Sequence, residues 1–582
     1  MAKIVTLCVF SIAAGCAPTG MTVSDDNTDN TNDNGDLIND NANTSDNMTG
    51  SDEMGDPNTN DNTVAGELVS LFSLSNNCEA CHSGLTDQTG GDVSIVPQWR
   101  ASMLANAATD PFFKATVASE TRRLPSNVSL VEGICTKCHT PMARAQALFD
   151  GTDAGLLFDG FLNTSNPLHG LANDGVSCTV CHQIQDDFLT DPEASFSGGY
   201  VFDTETGPPL RPLFGPFPEP QQPNSMRQAV GFTPTFGSHI ERSGLCATCH
   251  TLFTPTLDSA GAIVGEFPER VPFLEWQHSD FGDGVGEDRT CQSCHMPVAG
   301  APAAMTRIPA DLEAREPFYQ HLFLGGNVFM QRVLRDNREE LEVSASAEEF
   351  NESIARNLAF LQNETADLSI IASAATDDIL EIDVLVTSKA GHKFPTGFPS
   401  RRAWLHLTVT SGSGQIIFES GAPATDGTIA GNDADADETT FEPHYDEITS
   451  ADQVQIYESI MENSDGRVIY TLLRGAACAK DNRLLPAGFD KATADDNIAA
   501  QGAAVDDDDF VGGADEVTYL VPVSPTAGPF TVTVEWLYQS ISSFFAADIR
   551  KDVTFFNNTF GDMYDAADKL PTTIASTEII VE

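Results

Sequence analysis

Five times along this chain two cysteines stand three positions apart, with a histidine directly after the second. The sites are Cys78, Cys81 and His82; Cys135, Cys138 and His139; Cys178, Cys181 and His182; Cys246, Cys249 and His250; and Cys291, Cys294 and His295. On a helical turn, two thiols at that spacing reach both vinyl groups of one porphyrin, and the adjacent imidazole falls beneath its iron. The pattern takes up ten of the 13 cysteines. Zinc would need the pairs to combine two by two into four-ligand sites, which an odd number of pairs does not allow. Disulfides leave the invariable histidine without a purpose. The motifs therefore predict five covalently bound haem c groups, with the ten cysteines as attachment sites and the five histidines as proximal iron ligands.

An iron kept away from exogenous ligands needs a sixth ligand, and 12 histidines minus the five proximal ones leave seven. His169, His239 and His278 precede the third, fourth and fifth motifs, and His321 follows the fifth. His392 lies in the turn Gly391-His392-Lys393-Phe394-Pro395-Thr396-Gly397. These five are the distal candidates. His406 falls in an expected strand and reads as structural, whereas His444 lies in a loop. Met103 and Met142 are alternative axial ligands, and a thioether would raise the potential of its iron.

Length and patterning divide the chain. Lys3 followed by the apolar run Ile4 to Ala14 reads as an export signal over 1–15, too short to span a bilayer. Ala13-Ala14-Gly15-Cys16 resembles a lipoprotein cleavage box, which would place a lipid on Cys16 and anchor the chain to a periplasmic or outer-membrane surface. Residues 16–65 are Asp-, Asn- and Thr-rich and read as a disordered tether. Residues 66–363 hold all the motifs. Short helices are expected at Trp99 to Ala108, Asp110 to Thr121 and Ala143 to Phe149. An irregular stretch is expected at Gly207 to Pro223, and a helical return from Tyr319 to Leu361. From 364 the pattern alternates, with strands expected at Leu380–Val386, Trp404–Val409, Val517–Val523 and Phe530–Val534 and no helix between them. The fold class is thus mixed α+β: an irregular, short-helix multihaem region followed by an antiparallel β-sandwich-like one.

The net charge of −55, from 85 acidic and 30 basic residues, excludes nucleic acid as a partner and suits a basic redox protein. The acidic clusters Asn432 to Glu438 and Asp506 to Asp509 are possible calcium sites, although Glu438 stands where a hand-type loop needs glycine. Cys478 stands alone and reads as an inert thiol.

Asp174-Gly175-Val176-Ser177-Cys178, Cys291-Gln292-Ser293-Cys294-His295-Met296-Pro297, the turn at 391–397 and Lys480-Asp481-Asn482-Arg483-Leu484-Leu485-Pro486 resemble a family of bacterial multihaem c-type cytochromes. That family pairs an N-terminal haem region with a C-terminal β-rich one. The resemblance covers roughly residues 70–582. It implies extracytoplasmic electron transfer, with His321 and His392 as distal ligands, but fixes no single reaction. The leading expectation is an electron carrier between redox proteins or towards a terminal acceptor, favoured over catalysis. The alternatives are a reductase of a small nitrogen or sulfur compound with one open haem, and an adhesive surface lipoprotein.

Overall fold

The computed structural model of the chain describes residues 70–582 except 188, 190, 191, 283, 285–288, 311 and 377. The expected signal, the Cys16 anchor and the tether lie outside the described residues. Among those residues, no helix is long and apolar enough to cross a membrane.

Each motif sits on a helix, as thioether geometry requires. The carriers are Asn76–His82, Val128–His139, Cys178–Cys181, Ser243–His250 and Cys291–His295. The helix Pro111–Arg123 starts where Asp110 accepts hydrogen bonds from the Phe112 and Phe113 amides and proline fills the first turn. The helix expected from Trp99 to Ala108 is instead Ile95–Arg100 followed by turns. Asn106 Nδ2 donates to the Arg100 and Ser102 carbonyls at 3.0 and 2.8 Å, and such side-chain bonds compete with the helix ladder. The stretch expected to be helical from 319 begins only at Val328–Asp336 and resumes at Ala347–Glu364, the latter opened by a Ser346/Glu349 capping box. The proline-rich stretch is less irregular than its composition implies. It contains β1 (Arg211–Gly215), which pairs in parallel with β2 (Phe232–Phe236). A hairpin of β3 (Leu252–Leu257) and β4 (Ile263–Arg270) follows the fourth motif.

Two sheets form the C-terminal part. One holds β5 (Ala366–Thr376), β6 (Ile379–Ser388), β12 (Ala514–Pro522) and β9 (Glu447–Ile448), in that order. The other runs β11 (Ala477–Asp481), β10 (Ile456–Glu462), β7 (Arg402–Thr410), β13 (Phe530–Gln539) and β14 (Thr572–Val581), with β8 (Ile416–Ser420) also on β7. All pairings are antiparallel except the two-residue contact of β9 with β12. All four expected strands are present. On β6 the alternation buries Leu380, Ile382, Val384 and Val386 completely, each contributing roughly 1.5–3 kcal/mol of transfer free energy. The inner faces meet through Phe418 against Tyr519 and through the Tyr457 hydroxyl, which donates to Asp515.

Two unexpected helices, Ser543–Ile549 and Phe555–Ala566, lie between β13 and β14. They turn Phe545 and Phe560 onto Phe112 of the 111–123 helix. One apolar cluster therefore runs from Phe112 through Val333 and Phe350 to Val532 and Ile574.

Candidate functional site

All ten motif cysteines and all five motif histidines line one continuous cavity of about 1330 Å³. Single small-ligand pockets occupy about 300–1,000 Å³, and packed interiors leave few voids larger than a water. His321 and His392 line it too.

The imidazoles are held in one manner. The Nδ1 atoms of His82, His139, His182 and His295 lie against the carbonyls of Met305, Ala107, Phe214 and Leu324 at 2.8, 2.9, 2.5 and 2.6 Å. Donation from Nδ1 leaves Nε2 as the free lone pair, the tautomer an iron ligand needs. Burial keeps these rings neutral, holding His139 and His295 down at about 4 and His321 at about 3. His250 differs, because its Nδ1 faces the Arg270 guanidinium at 3.3 Å.

Two long-range pairs stand out. The rings of His182 and His321 are 6.3 Å apart at their centroids and 23° from coplanar; those of His295 and His392 are 6.2 Å apart and 7° from coplanar. A metal bonded at about 2 Å to a nitrogen on each side separates two imidazole centres by roughly 6 Å. Paired imidazoles beside thiols spaced for vinyl groups make a donor set that fits haem c, so residues and group agree.

The other distal candidates lie off this cavity. His169 Nδ1 donates to the Phe161 carbonyl, and its Nε2 is 3.3 Å from Glu342. His239 sits behind His182, and its Nε2 donates to the Ile184 carbonyl at 2.9 Å. His278 Nδ1 donates to the Leu274 carbonyl, and its Nε2 is 3.7 Å from Asp495. Met103 lines the cavity, whereas the Met142 sulfur accepts from Thr179 at 3.3 Å. His406 lies between Glu419 and Glu535 on the sheet. Cys478 packs against the core on β11, and burial pushes its thiol up to about 12.

Thiols of different motifs meet: Cys78 with Cys178, Cys138 with Cys249, and Cys246 with Cys291. The first motif therefore adjoins the third, and the fourth adjoins both the second and the fifth. Beside the second motif lie Glu120 and Glu269, which burial pushes up to about 8 and about 7. The Phe113 ring lies flat on His139 at 3.7 Å.

The turn carrying His392 is fixed by groups whose role its sequence did not disclose. Lys393 Nζ donates to Asp481 at 2.8 Å, and Arg483 donates to Asp481 at 2.7 Å and to Glu275 at 2.8 Å. Thr396 Oγ1 donates to the other oxygen of Glu275 at 2.6 Å. Phe394 and Leu484 exchange two backbone hydrogen bonds. The two C-terminal stretches singled out in the sequence thus pair, and they join to the helix Pro272–Gln277 of the haem-motif region.

No protein-family model matches the chain, and no curated protein matches it. Among solved structures it is similar to the crystal structure of a penta-heme cytochrome c552 from Thermochromatium tepidum. The identity is 16% and the TM-score 0.48, with 88% of this chain and 100% of that chain covered. At that level of superposition the functional reading rests on the chain's own residues.

Proposed function

We propose that the protein is an exported pentahaem c-type cytochrome, anchored by a lipid on Cys16, that passes electrons between redox partners. The observation that carries this reading is the single cavity lined by all ten motif thiols, all five motif histidines, His321 and His392. Haem c held there supplies a one-electron iron couple whose potential depends on axial ligands and burial. The thiols hold the groups without a separate pocket for each. The carbonyls behind His82, His139, His182 and His295 set the tautomer. His321 and His392 close the faces opposite His182 and His295. The inter-motif thiol contacts join the first attachment point to the third, and the fourth to both the second and the fifth.

A second reading, a reductase with one open haem, has its own support. Among the described residues, no imidazole ring pairs with His82, His139 or His250 as His321 does with His182 and His392 with His295. Glu120 and Glu269, raised by burial to about 8 and about 7, line the same cavity as candidate acids.

Electron paramagnetic resonance of the oxidised, haem-loaded protein separates the two. The carrier reading expects low-spin signals throughout, with His321→Ala and His392→Ala each converting one haem to high spin. A wild-type high-spin signal that shifts with hydroxylamine selects the reductase. Absence of any change in both variants removes the assigned ligand pairs.

A further inference from the structure

At the edge of the four-stranded sheet, away from the haem motifs, four carboxylates converge without a cationic side chain to balance them. Asp446 directly precedes β9, Asp507 and Asp509 lie on the loop before β12, and Asp515 is on β12 itself. Oxygens of Asp446, Asp507 and Asp509 lie within 4.8 Å of one another, as do ligand atoms of His444, Asp507 and Asp515. Among the described residues no Lys or Arg forms an ion pair with any of the four. The nearby Lys491 bonds to the backbone carbonyl of Asp507 instead.

His444 completes an apparent three-ligand metal group, but its hydrogen bonds exclude it. Its Nδ1 accepts from Gln455 Nε2 at 2.8 Å and from Asn482 Nδ2 at 3.0 Å. Both amides are oriented independently: the Tyr445 amide donates to Gln455 Oε1 and the Glu458 amide to Asn482 Oδ1. The ring proton therefore resides on Nε2, which donates to Asp507 Oδ2 at 2.9 Å. A protonated nitrogen cannot bind a metal, so the donors are oxygens alone.

Asp515 points to a ligand independently of the cluster. It is fully buried; its Oδ2 accepts from the Tyr457 hydroxyl and Gln455, but its Oδ1 has no hydrogen-bond partner. That oxygen lies 3.8 Å from His444 Nε2, the nitrogen that donates to Asp507. A buried carboxylate oxygen left bare is costly unless a cation or proton meets it.

We propose that Asp446, Asp507, Asp509 and Asp515 bind one hard divalent cation, calcium by preference, with His444 positioning Asp507 rather than ligating. Oxygen-only donors, an irregular loop and an open side for water suit Ca²⁺ and disfavour zinc or copper, which favour imidazole and thiolate. The cation ties the 506–509 loop to the sheet edge. The other acidic cluster lacks this freedom, because Asp435 is already paired to the buried Arg402 at 3.2 Å.

The test is calorimetric titration of the haem-loaded, EDTA-stripped chain with CaCl₂, beside the Asp446→Asn/Asp509→Asn double variant. Both of these residues are exposed, so the variant keeps its fold. The expected result is one saturable site per chain, at least tenfold weaker in the variant, with Ca²⁺ raising the thermal midpoint of the wild type alone. Equal uptake by both proteins assigns the calcium to other surface carboxylates and overturns the proposal. Displacement of Ca²⁺ by an equal concentration of Zn²⁺ overturns the oxygen-only donor set.

Discussion

In β6, four alternate side chains are wholly excluded from solvent, whereas the first motif helix, Asn76–His82, has no buried residue. The two regions keep their interiors together by different means. The β-rich region is closed by aliphatic and aromatic side chains interdigitating between two sheets, and needs nothing else. Around the five motifs the chain packs its side chains about a cavity, and its short helices meet each other through cysteines. Helices of four to eight residues are too short to persist alone. On the proposed function, haem c held by the thiols adds to the cohesion of that region, beside its own apolar clusters. The helix Pro111–Arg123, wedged against Phe545 and Phe560, joins the shared apolar cluster, as do residues of Val128–His139, Pro141–Asp150 and Ala347–Glu364.

The largest effect separates the two regions outright. Produced without haem attachment, the chain is expected to keep slow amide exchange in β6, β7, β12 and β13. The motif helices at 178–181, 243–250 and 291–295 should exchange freely. Hydrogen-exchange mass spectrometry reads both at once. Equal protection in the two regions, or equal loss, breaks the contrast.

The seam between the regions carries the next effect. Asp481→Asn leaves Lys393, fully buried, without its carboxylate. Breaking a buried pair costs about 3–5 kcal/mol, read from denaturant unfolding of the haem-loaded protein. The exposed pair Arg356–Glu352 is the control, because Arg356→Gln there costs about 0.3–0.5 kcal/mol. Similar losses in the two variants contradict the placement of Asp481. Acid tests the same group. Burial would raise Asp481, but Arg483 and Lys393 outweigh it and hold it at about 2. Its contribution is complete above the unfolded value of 3.8 and fades as pH falls towards 2.

What could be read beforehand follows from the range of each interaction. The motifs, the Asp110-Pro111 helix start and the alternation of Leu380 to Val386 are written in neighbouring residues. The ring pairs His182–His321 and His295–His392 span about a hundred positions or more, and nothing local to His321 distinguishes it from His169. The Lys393–Asp481–Arg483–Glu275 network was visible only as unexplained short motifs, because its partners come from three separate segments. The helices at 543–566 were hidden by a strand on either side. Their aromatic residues find their partner in Phe112, more than four hundred positions away.

The smallest effect concerns the sign of a charge. In the seam the buried carboxylate Asp481 is ionised and stabilising; at the haem cavity Glu120 is buried and raised to about 8, with Oε2 unpartnered. A carboxyl raised in the folded state keeps its proton after the unfolded chain has lost it. Stability attributable to Glu120 is therefore full below its ordinary value of 4.5 and declines as pH rises towards about 8. One such group lowers stability by at most about 1.4 kcal/mol between pH 6 and 7. Glu120→Gln keeps the oxygen that accepts from the Leu472 amide and removes the titration. The variant's stability should fall less steeply with pH than the wild type's over that interval, by up to one proton's worth of slope. Glu269 and Asp110, raised to about 7 and about 6 by burial, contribute to the slope that remains. Identical slopes in the two proteins mean that Glu120 is ionised at the cavity wall. Both regions would then bury charge alike, and the reductase reading would lose its nearest acid.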